Sequence, residues 1–253
     1  MTQVEKAKAF GALHVKGAPL ILYNIWDAGS AAAVANAGAP AVATGSASVA
    51  ASQGYKDAEA IPMDLLFPIV ARIAEAVDVP VSVDFEGAYA EDPDIVGQNV
   101  ANLIRTGAIG LNFEDQVIGG EGLHGTDLQV MRIRAIRAAG DAAGVPIWIN
   151  ARTDLFLKDR DEADHAGLIS PARDRAAAYA EAGANSFFAP WLKEPDLIEK
   201  LCAEAVLPVN IMWRDGVPSP AELGTLGVAR VSYGPGPYRI AMAELAAKAR
   251  ALI

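Results

Sequence analysis

The sequence predicts an α/β fold, a single-domain (β/α)8 TIM barrel over residues 1–253. Three observations predict it. Five Ala-rich, helix-like stretches end on a glycine that leads at once into aliphatic and β-branched residues, at Gly38, Gly107, Gly144, Gly183 and Gly227. A glycine there suits the left-handed position just past a helix end, where a side chain would clash. Strand and helix signals then alternate eight times, and 253 residues divide into units of about 32, the repeat at which such a barrel closes. A doubly wound open sheet shares the alternation, but length and strand count favour the barrel.

The first strand is Leu20–Ile25 with Trp26 at its end, and Asp27 before the small-residue run Ala28–Ala35 is expected to cap a helix. Residues 28–55 carry no charge, yet Pro40 and several glycines and serines break the run. It is expected to be a small-residue helix, a buried strand at 40–45 and a polar loop, not a membrane span. Strands three and seven open on Val79-Pro80 and Leu207-Pro208, giving 79–84 and 208–213. The remaining strands fall at 109–114, 146–151, 185–190 and 229–233, with helices over 95–106, 128–143, 171–182 and 195–205.

Composition narrows the function. With 52% hydrophobic and 21% charged residues the chain can bury a large core, which excludes a disordered protein. Lys+Arg number 21 against 31 Asp+Glu, a net charge of -10, so no basic footprint is offered to nucleic acid or an anionic membrane. The one cysteine, Cys202, allows no disulfide framework, and no Cys/His spacing suggests structural zinc. Charges at Glu5, Lys6 and Lys8 stand where a secretory signal needs its apolar segment, so a reducing, cytoplasmic location is expected.

In either α/β architecture the site forms at the carboxyl ends of the strands. There the sequence is dense in acids: Asp84 and Glu86 after strand three, Glu114 and Asp115 after strand four, Arg152 and Asp154 after strand five. Alternation along a strand lets Asp84 share a face with Glu86, Asn112 with Glu114, and Asn150 with Arg152. Converging carboxylates repel unless protonated or neutralised, and an all-oxygen set suits a hard ion such as Mg²⁺. Arg152 would hold an anionic substrate with its planar fork.

The segments 43–57, 83–89, 112–115 and 150–154 resemble the isocitrate lyase and phosphoenolpyruvate mutase superfamily, in the same order over nearly the whole chain. The resemblance implies a (β/α)8 barrel and a Mg²⁺ held directly or through water by Asp57, Asp84, Glu86 and Glu114. Position 86 is usually Asp in the family; Glu keeps the charge and reaches one methylene further. The resemblance also implies that the backbone of Ser46 and Ala47, with Asp84 and Arg152, binds a small 2-oxo or 2-hydroxy carboxylate, and that family members are homo-oligomers, dimers or tetramers.

The loop after strand four departs from the family. Isocitrate- and methylisocitrate-cleaving members carry Lys-Lys-Cys-Gly-His there, and phosphonopyruvate-type members a Lys and an Asn; residues 116–125 here read QVIGGEGLHG. Cys202 lies in a helix and is not taken as a substitute. The loop formally contains G-x-G-x-x-G at 120–125, but too far from its strand for a dinucleotide turn, so a lid is expected. His124 within it is either a proton donor or a solvated residue. Residues 233–239 (YGPGPYR) open the last helix as either a phosphate site or a tight turn. The expected catalytic residues are therefore Arg152, Glu114 and His124.

The reaction expected is Mg²⁺-dependent carbon–carbon cleavage of an oxaloacetate- or methylisocitrate-like acid through a pyruvate enolate. The alternatives are a phosphonopyruvate mutase or hydrolase, distinguished by phosphate release, and a non-catalytic 2-oxo acid binding protein, distinguished by tight binding without turnover.

Overall fold

A computed structural model describes residues 1–158 and 165–253. Eight strands form one parallel sheet in the order β1-β8-β7-β6-β5-β4-β3-β2. They are β1 Leu20–Leu22, β2 Val42–Ala43, β3 Val81–Asp84, β4 Gly110–Glu114, β5 Trp148–Arg152, β6 Ser186–Ala189, β7 Val209–Met212 and β8 Arg230–Ser232. The two ends meet just beyond β1 and β2: Ile25 bridges Thr44 in parallel, the Ile25 amide donating to Ala43 O at 2.9 Å and the Gly45 amide to Ile25 O at 3.2 Å. The sheet is thus a closed barrel, as its sequence pattern predicts. Among the described residues no helix is long and apolar enough to cross a membrane.

All five helix-ending glycines have positive φ, from 67° at Gly144 to 107° at Gly183, the conformation the sequence pattern requires. The helices are α1 Gln3–Ala12, α2 Ala28–Asn36, α3 Ser46–Ser52, α4 Met63–Ala76, α5 Pro93–Arg105, α6 Thr126–Ala142, α7 Leu155–Lys158, α8 His165–Glu181, α9 Pro195–Glu204, α10 Pro220–Thr225 and α11 Gly236–Arg250. Asp27 caps α2 as expected, its carboxylate accepting from the Ser30 amide at 2.7 Å. Pro195 begins α9, where its missing N–H costs nothing.

Two local expectations differ. The polar loop expected after β2 is instead the short helix α3, because small residues following Gly45 can close a turn against the barrel mouth. Pro171 does not start a helix; it lies within α8, which begins at His165.

The helix α1 covers the amino-terminal end of the barrel. Phe10 is fully buried and meets Trp148 edge-to-face with centroids 6.1 Å apart, while Gln3 Nε2 donates to Ile104 O and Ala108 O, both at 2.8 Å. Gly11 is required there, since a Cβ would lie 2.9 Å from the Trp148 ring. With that end closed, the open end is the carboxyl-terminal one.

Candidate active site

A cavity of about 760 Å³ opens at the carboxyl ends of the strands. Its floor is Asp84 and Asn112, its sides Ser46, Ala47, Asp57 and Arg152, and its far wall Phe188, Trp191 and Trp213. The 233–239 segment lines it too, through Tyr233 to Pro237 and Arg239.

Asp84 ends β3 and is held on both oxygens: Oδ2 accepts from the Ser46 amide at 3.0 Å and Oδ1 from Asn112 Nδ2 at 3.2 Å. The orientation of Asn112 is decided beneath it. Its Oδ1 accepts from Asn150 Nδ2 at 2.8 Å and from Arg230 Nη2 at 3.0 Å, so its amide nitrogen must face Asp84. Below the floor the interior is polar: Asn150 also donates to Asn210 at 3.0 Å and accepts from Ser186 Oγ at 2.7 Å. Arg230 is fully buried, and that burial pushes its guanidinium down to about 9 against the opposing pull of Asp84.

Asp57 lines the cavity beside Asp84. Burial, then the Asp84 charge, raises its carboxyl above the usual range. Glu86 does not follow strand alternation: the ladder ends at Asp84, and Glu86 has φ +50°. Its side chain is buried, and Oε2 accepts from the Glu59 amide at 2.9 Å. Burial, then Asp84 and Asp57, pushes its carboxyl up to about 8. Glu114, also buried, is raised by burial while Arg152 pulls the other way.

Arg152 Nη1 meets Glu114 Oε2 at 2.8 Å, and its Nε and Nη2 fork onto Asp154 at 2.6 and 2.9 Å. Among the described residues three of its five N–H groups are so occupied, leaving two for a ligand. These carboxylates hold Arg152 protonated, well above its ordinary value despite burial. Asp154 is itself set from behind, its amide donating to Asp115 Oδ1 at 2.9 Å, while Asp115 Oδ2 accepts from Tyr179 Oη at 2.9 Å and Arg175 Nη1 at 3.1 Å. Sequence reading placed Asp115 among acids at the strand end; the structure turns it away from the cavity into this brace. Asp154 stood in the motif without a role, although its place two residues after Arg152 at a strand end was a signal for the fork.

The expected site residues therefore divide. Ser46, Ala47, Asp57, Asp84 and Arg152 line the cavity; Glu86 and Glu114 are buried next to it; His124 does not line it. The reading of His124 as solvated is corrected: it is 7% exposed, and burial lowers its imidazole pKa. Its amide donates to Asp115 O at 2.8 Å and its carbonyl accepts from Arg175. Residues 116–125 fold on themselves through a Gln116–Leu123 bridge, and none lines the cavity. Cys202 is buried in α9 with its thiol pushed up to about 12, so it supplies no acid or base here.

Among the described residues no three His, Cys, Asp or Glu side chains converge closely enough to ligate one ion together. That still fits a magnesium ion, which keeps several waters and takes one or two carboxylates directly. Asp57 and Asp84 in the lining, with Glu86 and Glu114 buried beside them, three of the four raised by burial and by their neighbours' charge, form a donor set short of positive charge.

A closed barrel whose carboxyl-terminal mouth gathers acids and one forked arginine is a (β/α)8-barrel enzyme by architecture. Residues 10–253 match the phosphoenolpyruvate phosphomutase family, and the chain belongs to it, within the isocitrate lyase/phosphoenolpyruvate mutase superfamily of lyases and mutases. An uncharacterized Mycobacterium tuberculosis protein is 34% identical over 96% of this chain and 88% of its own length. The 2-methylisocitrate lyase of Escherichia coli is 29% identical over 80% of this chain and 68% of its own length. A Burkholderia cenocepacia structure provisionally described as a phosphonomutase is 47% identical with a TM-score of 0.95, covering 98% of both chains. A phosphonopyruvate hydrolase bound to oxalate and Mg²⁺ shares the fold at 22% identity, with a TM-score of 0.82 over 97% of this chain and 84% of that one.

Proposed function

We propose that the protein is a Mg²⁺-dependent lyase that cleaves a carbon–carbon bond of a small 2-oxo or 2-hydroxy carboxylate through an enolate, that of pyruvate when an oxaloacetate-like acid loses CO2 and that of the departing carboxylate when a 2-hydroxy acid is split to pyruvate. The observation that carries this reading is the cavity's chemistry: acids and Arg152 on one side, and no Lys, Cys or His among the described residues lining it. Decarboxylation of an oxaloacetate-like acid needs no base to initiate it, so it suits such a site. An oxaloacetate decarboxylase of Rhodopseudomonas palustris, 30% identical over 71% of this chain and 59% of its own length, supports the reading.

Asp57 and Asp84 would hold the Mg²⁺, with Glu86 and Glu114 acting on its waters. The bound ion supplies Lewis-acid stabilisation of the developing enolate charge. The chain does the rest. The two remaining N–H groups of Arg152 bind the substrate anion, and Ala47, in the first turn of α3 where amides lack intrahelical partners, faces its oxygens. Phe188, Trp191 and Trp213 exclude water from the far wall.

Replacing Asp84 by alanine is expected to abolish Mg²⁺-dependent pyruvate release from an oxaloacetate, dimethylmalate or methylisocitrate panel followed by NMR; retained release overturns the site. The 47% identical relative described as a phosphonomutase favours a second reading; with phosphonopyruvate added to the panel, isomerisation to phosphoenolpyruvate would establish a mutase, and release of pyruvate and phosphate a hydrolase.

A further inference from the structure

We infer that Glu59 is a positioning residue, latching the loop that carries Asp57 to the loop that carries Glu86 and so fixing Asp57 beside Asp84. The inference rests on the Mg²⁺ reading of the site and names a residue to which neither the motifs nor the family resemblance assigns a role.

The geometry is reciprocal. Glu86 reaches across to the Asp57 loop, its Oε2 accepting from the Glu59 amide at 2.9 Å. Glu59 reaches back, its Oε1 accepting from the Tyr89 amide at 2.7 Å. Each loop is thus tied to the other by a side chain and a main-chain donor. Gly87 leaves room for this approach, since a Cβ there would lie 3.1 Å from Glu59 Oε1 and 3.0 Å from Ile118, tight enough to push on both.

The same two loops hold every non-glycine residue with positive φ among those described: Ala58 and Glu59 in one, Glu86, Ala88 and Tyr89 in the other. Side chains resist that conformation, so it persists only where surrounding bonds over-determine it. The latch supplies those bonds. A third element backs it: Arg132 of α6, fully buried, donates from Nη2 to Gly87 O at 2.7 Å and Ala90 O at 2.9 Å. The Glu86 loop is therefore anchored to the scaffold, and Glu59 transmits that anchor to Asp57, two residues away.

This also gives a reason for Glu rather than Asp at position 86. The extra methylene is what lets a carboxylate on this loop meet the Glu59 amide while staying next to Asp84.

Two conservative variants separate reach from charge. Glu59→Gln keeps the reach and an accepting oxygen but loses the charge; Glu59→Asp keeps the charge but is one methylene too short. Mg²⁺ affinity is measured by calorimetry, and amide hydrogen exchange of residues 57–60 and 85–90 by mass spectrometry on metal-free protein, with thermal melts confirming the fold. The expected result is a Mg²⁺ affinity about 10–100-fold weaker in Glu59→Asp, the usual cost of losing an outer-shell partner, with faster exchange in both segments and near-unaltered behaviour in Glu59→Gln. Unchanged exchange in Glu59→Asp overturns the latch, as does equal damage in both variants. Faster exchange with unchanged Mg²⁺ affinity overturns the positioning role. Failure of the unaltered protein to bind Mg²⁺ overturns the reading of the site instead, and the exchange measurement still decides the latch.

Discussion

Glu86 offers a direct measurement of how strongly the site lacks positive charge. Its carboxyl is pushed from 4.5 up to about 8, by burial first and then by Asp84 and Asp57. The native state therefore keeps a proton that the unfolded chain releases between about pH 4.5 and about pH 8, so the metal-free protein loses stability as pH rises through that window. The slope is about 1.4 kcal/mol per pH unit, which integrates to roughly 3 to 4 kcal/mol between about pH 5 and about pH 8. Glu86→Gln keeps a carbonyl oxygen for the Glu59 amide and removes the titration. Denaturant unfolding in the presence of a chelator, run for both proteins across this range, should show the variant gaining on the parent by that amount toward alkaline pH. Parallel pH profiles for the two proteins, or a difference of opposite sign, would refute the placement of Glu86 as a buried acid facing two others.

Two further outcomes follow from the bonding around the site. Asp154→Ala strips the fork from Arg152 and leaves a buried guanidinium on Glu114 alone, which should cost about 3–5 kcal/mol of unfolding free energy and, in turnover assays, at least tenfold in kcat/KM. Cys202→Ala should retain turnover within about twofold while costing at most about 2 kcal/mol of stability in thermal melts, because its buried thiol touches the core and not the cavity; a large loss of kcat would return the thiol to the chemistry.

The barrel was legible because its signals are local. Gly107, Gly183 and the others mark helix ends through a backbone requirement of the glycine itself, and Asp27 caps α2 through a bond spanning three residues. The acids at the strand ends were legible for the same reason, since topology places every such end at one mouth. What failed or stayed open depends on contacts between distant segments. His124 reads as a loop residue in sequence, yet it is buried, and Arg175, 51 residues on, holds its carbonyl. Alternation put Glu86 on the face of Asp84, but β3 ends first and a left-handed turn re-aims the side chain.

The sequence by itself determined the eightfold strand and helix order, the glycine stops, and the gathering of acids and Arg152 at the carboxyl ends of the strands. These follow from intrinsic backbone preferences and the period of the side chains, which act within a few residues. Only the tertiary structure decided which acids line the cavity and which are buried beside it, how Arg152 is shared between Glu114 and Asp154, and that Glu59 ties two loops together. Those depend on burial and on hydrogen bonds closed across 27 to 39 residues of chain, as from Glu59 to Glu86 and from Asp115 to Asp154, and no local pattern encodes such distances.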